Sequence, residues 1–112
     1  MTVNIAVHGT SGGYPPDGAQ TRQARELLQR ERQTRIAQLA VLEHEEDGAP
    51  DEASFARRES LQGTLEEIDA ALTRLDDGTY GLCEDCREPV PAGRLEILPY
   101  ARRCVRCQQR RR

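Results

Sequence analysis

The chain has 112 residues, of which 37% are hydrophobic and 4% aromatic, and its formal net charge is −3. A chain of this size and composition holds one modest domain and cannot bury a large apolar core, so something besides core burial has to stabilise it. No stretch approaches the roughly 20 apolar residues of a membrane-spanning helix, and the N-terminus lacks the basic and apolar regions of a secretory signal. We therefore expect no membrane contact and a location in the reducing cytoplasm.

The N-terminal residues predict no regular structure. They contain HGTSGGYPPDGAQ, in which glycine and proline favour turns and neither a helical nor a strand period is present. We predict a flexible N-terminal arm over residues 1–20. A short strand over residues 3–7 is the alternative, because VNIAV alternates once and contains branched side chains.

Two helices are predicted over residues 21–77. The first begins at Thr21, a predicted N-cap, and its sequence as far as Glu46 lacks Gly and Pro and is rich in helix-forming residues. A stop-and-restart signal, Asp-Gly-Ala-Pro, follows at residues 47–50. The second helix carries apolar residues at steps of four and three, the spacing of a coiled-coil seam: Leu61, Leu65, Ile68, Leu72 and Leu75.

The short connection predicts that these helices form an antiparallel hairpin, with Leu28 opposite Leu72. A coiled coil between two chains is the alternative. The hairpin would be a rod of about 35 to 40 Å. Six carboxylates and no arginine lie between Glu43 and Glu52, so we expect an acidic tip near residues 47–52, at the distal end of the rod.

All four cysteines lie in the last third of the chain, as two CxxC pairs with 17 residues between them: Cys83, Cys86, Cys104 and Cys107. This spacing is typical of a four-cysteine zinc site, because two pairs of thiolates complete the tetrahedral coordination of one ion at about 2.3 Å. Four protein ligands leave no open position, which predicts one structural Zn²⁺. Disulfides are disfavoured in a reducing compartment, and a dithiol redox centre would account for one CxxC but not two.

Residues 78–112 are thus predicted to form a C4 zinc finger with short helices and an Arg-rich C-terminus. The zinc ion would substitute for the hydrophobic core that so short a segment lacks. The apolar residues expected beside it are Val90, Leu95, Ile97, Leu98 and Tyr100. The predicted fold class is therefore mainly α, an antiparallel helical hairpin with a coiled-coil seam followed by a small four-cysteine zinc finger.

The finger sequence resembles the C4-type zinc finger of the DksA/TraR family of bacterial transcription regulators. The shared positions, in order and spacing, are Gly78, Tyr80, Gly81, Cys83, Cys86, Val90, Arg94, Leu95, Pro99, Ala101, Cys104 and Cys107. A preceding hairpin with an acidic tip is also the family's arrangement. Two features depart from the family: Arg87 stands where glycine is usual, and the tip has one residue more between its aspartates than the Asp-x-x-Asp-x-Ala pattern.

The resemblance implies a zinc-containing transcription regulator that binds RNA polymerase and is not an enzyme, with its hairpin inserted into the secondary channel. It places the partner-binding residues at the tip, on Asp47, Asp51 and Ala53. We expect a monomer without sequence-specific DNA binding, because the arginine-rich end has no interleaved aromatic residues for base stacking. A zinc-stabilised coiled-coil adaptor for another protein is the alternative function, and a thiol-disulfide oxidoreductase is a third.

Overall fold

A computed structural model describes residues 13–45 and 51–111 of the chain. Its helices are α1 (Ala19–Glu45), α2 (Glu52–Asp77), α3 (Ala92–Ile97) and α4 (Val105–Arg110). Within these two ranges Leu82 and Pro89 form an isolated antiparallel bridge, and no named strand is present. None of the helices in the described ranges is both long enough and apolar enough to span a membrane. The predicted mainly α fold class is confirmed.

Helices α1 and α2 form the predicted antiparallel hairpin. They have 27 and 26 residues, so each is about 40 Å long. Two ion pairs cross between them, Arg25 to Asp76 at 3.1 Å and Arg32 to Asp69 at 2.8 Å. Arg25 and Arg32 are seven residues apart on α1, and their partners Asp76 and Asp69 are seven residues apart on α2 in the opposite order, as antiparallel helices require. The alignment of the two helices is within one residue of the predicted one, in which Leu28 lies opposite Leu72. The pairs are largely exposed and each contributes only about 0.2–1 kcal/mol.

The ends of the helices show which local signals the chain uses. Asp51 is the N-cap of α2, and its side chain accepts a hydrogen bond from the backbone N–H of Ser54 at 2.8 Å. Gly78 ends α2, directly after the predicted helical range 21–77, and its φ of 79° is a left-handed conformation that glycine adopts without steric cost. The predicted N-cap Thr21 is wrong: α1 begins at Ala19, and the Thr21 hydroxyl is buried and donates to the carbonyl of Pro15.

The apolar core lies at the base of the hairpin, where the helices meet the finger. The core residues from α1 and α2 are fully buried: Leu28, Ile68, Ala71 and Leu75. They pack with Tyr80, Val90, Leu95 and the cysteines in one cluster. Towards the tip the side chains are more exposed, with Ile36 42%, Val41 54% and Phe55 55% accessible. The seam is therefore well packed at the base and loosely packed near the tip.

Residues 13–18 pack across the base of the hairpin. The Tyr14 N–H donates to the Tyr80 carbonyl at 3.0 Å, and the two rings meet edge to face with centroids 5.0 Å apart. Gly81, with φ of 90°, leaves room for the Tyr14 ring, since a Cβ there would lie 3.0 Å from it. Of the predicted flexible arm, residues 1–12 lie outside the described residues, whereas residues 13–18 contact the finger.

Candidate metal centre and hairpin tip

The four cysteines come together in one cluster. Their sulfur atoms all lie within 4.8 Å of one another, and the Sγ atoms of Cys86 and Cys104 are 3.9 Å apart. Tetrahedral thiolates at 2.3 Å from a zinc ion are about 3.8 Å from each other, so the spacing fits the ion. A disulfide requires about 2.05 Å, and all four cysteines are unpaired. Three are buried and Cys86 is partly exposed.

The first cysteine pair is held by a tight turn that follows the end of α2. The N–H of Cys83 donates to the Glu88 carbonyl at 2.8 Å, and the N–H of Arg87 donates back to the Cys83 carbonyl at 3.0 Å. The N–H of Cys86 points at the Cys83 sulfur, 3.5 Å away. The turn therefore directs both sulfurs to the same side.

The second pair uses a helix. Cys104 is the N-cap of α4 and Cys107 lies in its first turn. Residues three apart face the same side of a helix, so both sulfurs reach the first pair. The helix thus begins at Val105, directly after its N-cap Cys104.

The thiols differ in acidity. Burial opposes ionisation of Cys83, but N–H groups from Cys86, Cys104 and Asp85 outweigh it and lower its pKa to about 6. Burial raises the pKa of Cys107 to about 12, with its neighbouring cysteines acting in the same direction. Four thiolates at such close range therefore need a cation to neutralise them, which a zinc ion supplies. The cluster fits one structural zinc.

Arginines around the cysteines pair with carboxylates and join the finger to the hairpin. Arg102 contacts Glu67 of α2 at 3.0 Å and Glu84 at 3.5 Å. The adjacent Arg103 contacts Glu84 at 3.2 Å and Asp85 at 3.1 Å. The sequence alone did not reveal these pairs, because the partners are 18 or more residues apart along the chain.

Tyr80 connects the hairpin base to the segment before the second cysteine pair. It is 1% accessible, and its hydroxyl donates to the Pro99 carbonyl at 2.7 Å. Burial raises its pKa to about 12, so the hydroxyl remains a donor at neutral pH. We did not predict Tyr80 as a core residue, whereas Ile97, which we did, is 82% exposed. Ile97 is the last residue of the six-residue helix α3, whose buried side is occupied by Leu95.

The turn at the first cysteine pair contains a strained residue. Within residues 13–45 and 51–111, Arg87 is the non-glycine residue with positive φ, at 65°. A side chain in this region costs roughly 1–2 kcal/mol relative to glycine, which is partly offset by the extra freedom of glycine in the unfolded chain.

We expect Arg87→Gly to stabilise the zinc-loaded protein by about 0.5–1 kcal/mol, measured as a rise in Tm. Glu88→Gly is the matched control, because Glu88 is also exposed but lacks positive φ, so the substitution should lower Tm. A lower Tm for Arg87→Gly would show that the Arg87 side chain makes a contact worth more than the backbone strain.

Asp51 and Ala53, two of the predicted tip residues, lie at the other end of the hairpin from the cysteines. Asp51 and Gly78 flank α2, which puts them about 40 Å apart. Asp47 lies outside the described residues. The N–H of Ser54 lowers the pKa of the Asp51 carboxyl, so Asp51 is ionised at neutral pH. Ala53 is exposed on the first turn of α2. The part of the tip that the structure describes is thus charged and accessible.

A helical hairpin on a four-cysteine centre defines a class of small zinc-finger proteins. Residues 78–112 match the model of the prokaryotic dksA/traR C4-type zinc finger. The solved structure of transcription factor DksA2 from Pseudomonas aeruginosa resembles this chain with 30% identity and a TM-score of 0.67, covering 86% of this chain and 85% of that one. The chain therefore belongs to the DksA/TraR family, as predicted from its finger sequence, and holds one structural zinc.

Curated relatives match this chain over about half of its length or less. The RNA polymerase-binding transcription factor DksA of Caulobacter vibrioides is 42% identical over 53 residues, which are 47% of this chain and 37% of the relative. General stress protein 16O of Bacillus subtilis is 50% identical over 44 residues, 39% of this chain and 27% of the relative. The chain thus spans about a third of the length of these relatives.

Proposed function

We propose that this chain is a transcription regulator that binds RNA polymerase and acts from the cytoplasm as a monomer, without enzymatic activity. The observation that carries the proposal is the fold: a hairpin with an acidic distal end, on a four-cysteine base, resembling DksA2 over 85% of its length. The name of the Caulobacter relative states that it binds RNA polymerase.

In this proposal the metal centre has a mechanical role. Cys83, Cys86, Cys104 and Cys107 would hold the zinc ion, whose chemistry is that of a closed structural site. The finger over residues 78–112 then anchors the hairpin over residues 21–77. The ion pair between Arg102 and Glu67 and the buried Tyr80 fix the hairpin base against the finger.

The tip would deliver negative charge to the partner. Asp47, Asp51 and Ala53 are the proposed contact residues, at the end of the hairpin that would enter the secondary channel of the polymerase. Carboxylates there would meet basic walls or approach a Mg²⁺-bearing centre. No sequence-specific DNA contact is required.

The experiment compares the wild type with Asp47→Asn/Asp51→Asn for binding to core RNA polymerase and for transcription on the same samples. Asparagine caps a helix as well as aspartate does, so the change removes charge while α2 keeps its N-cap. The matched control is Glu66→Gln/Asp77→Asn, which removes two exposed charges of α2 far from the tip.

We expect all three proteins to bind and only the double tip variant to lose its effect on transcription. Unaltered transcription by the tip variant would contradict the role of the charges. Absence of wild-type binding would overturn the polymerase proposal and favour the adaptor function.

A further inference from the structure

Near the tip, the two hairpin helices leave a cavity between them. It has a volume of about 580 Å³ and is lined by six residues, three from each helix: Gln38, Val41, Leu42, Arg57, Ser60 and Leu61. We call this cavity the notch. Its apolar lining is only partly covered, since Leu42 and Leu61 are half-buried and Val41 is 54% exposed.

The notch exists because the apolar seam stops at this point. Leu61 is the first leucine of the seam, and the preceding seam positions, at steps of three and four residues, are Arg58 and Ser54. Both side chains are polar, so the leucine seam ends at Leu61. Apolar surface on both walls is therefore left beside water, which marks interaction sites in soluble proteins.

Charge at this end of the hairpin restricts what could occupy the notch. The sequence from Glu43 to Glu52 holds six carboxylates and no arginine. On α2, Ala53 shares one face with Arg57 and Ser60, at steps of four and seven residues, so the wall of the notch continues to the acidic tip. Among the described residues, Glu43, which follows Leu42 on α1, and Asp51 and Glu52 at the start of α2 are exposed carboxylates at this end of the hairpin. They outnumber Arg57, the charged residue of the lining, which favours a positively charged segment in the notch.

We propose that the notch binds an apolar side chain from a basic segment of RNA polymerase. This inference rests on the proposed function and adds a second component to it: apolar burial in the notch holds the hairpin in place, and the tip carboxylates act on the partner. Burial of Val41, Leu42 and Leu61 against a partner would remove apolar surface from water, which is the main source of affinity in such contacts.

The chain offers a matched pair of residues for the test. Val41 lines the notch and is 54% exposed, whereas Phe55 is 55% exposed, is also near the tip and does not line the notch. Phe55 lies fourteen residues, or nearly four helical turns, before Asp69, so it is on the same side of α2 as the ion pair of Asp69 with Arg32. Replacing either exposed residue by serine should leave the hairpin folded, which equal melting curves would verify.

The experiment measures the affinity of the wild type, Val41→Ser, Phe55→Ser and Ser60→Phe for core RNA polymerase. Ser60→Phe places a ring in the notch and should block it. We expect Val41→Ser and Ser60→Phe to bind about tenfold more weakly and Phe55→Ser to stay within about twofold of the wild type.

Each outcome has a definite meaning. If the wild type binds and both notch variants bind equally well, the notch proposal is overturned while polymerase binding stands. If Val41→Ser and Phe55→Ser weaken polymerase binding equally, the notch proposal is also overturned. Any exposed apolar side chain near the tip would then contribute to binding, whether or not it lines the notch. If the wild type does not bind, both proposals fail together.

Discussion

Removal of the zinc ion is expected to unfold residues 78–107 and to loosen the base of the hairpin. The buried apolar residues of the finger itself are few, with Tyr80, Val90 and Leu95 packed around the cysteines. Without the cation, the four closely spaced thiols no longer hold the two halves of the finger together. The free energy of zinc binding is therefore part of the free energy that folds the finger. Circular dichroism and limited proteolysis before and after chelation, with zinc quantified, check this.

The loss should extend beyond the finger because the core is shared. Leu28 and Leu75 of the hairpin lie in the same cluster as Tyr80 and the cysteines. We expect a lower Tm for the hairpin helices in the metal-free protein and full recovery when zinc is added back. Protease resistance and circular dichroism that do not change on complete removal of zinc would contradict the prediction.

Ile68→Asp is expected to unfold the hairpin. Ile68 is 0% accessible and lies in the core cluster between the helices and the finger. The substitution removes a buried hydrophobic side chain and places a carboxylate in an apolar site, which together cost about 4 kcal/mol or more. That is a large part of the 5–15 kcal/mol that stabilises a typical domain.

The measurement is the thermal melting curve followed by helical circular dichroism. Gln62→Asp is the matched control, since Gln62 is exposed on the same helix and the change should cost only about 0.5 kcal/mol. A melting curve for Ile68→Asp that matches the wild type would show that the seam does not hold the hairpin together.

Much of the local structure could be predicted because it depends on short-range patterns. Alternation of steps of three and four residues identifies the buried side of α2, and Gly78 ends that helix because glycine adopts the left-handed conformation. The spacing of the cysteines identified the zinc site, since few arrangements other than a tetrahedral ion bring two CxxC pairs together.

Other features depend on contacts between distant parts of the chain. The Tyr14 ring packs on Tyr80 and residues 13–18 cross the hairpin base, although their glycine and proline content predicts only turns. Ile97 was predicted to be buried from its apolar side chain, but α3 is short and turns it to solvent. The apolar character of a residue does not show which side of a short helix faces the core.

The sequence by itself determined the fold class, the family and the four-cysteine zinc site, because helix period, glycine conformation and metal-ligand spacing are local properties of the chain. Only the tertiary structure decided where the core lies, how the finger is fixed to the hairpin and where the seam opens into the notch. Those features arise from packing between residues far apart in sequence, such as Arg102 with Glu67 and Val41 beside Leu61. Their burial is set by the arrangement of all the elements together.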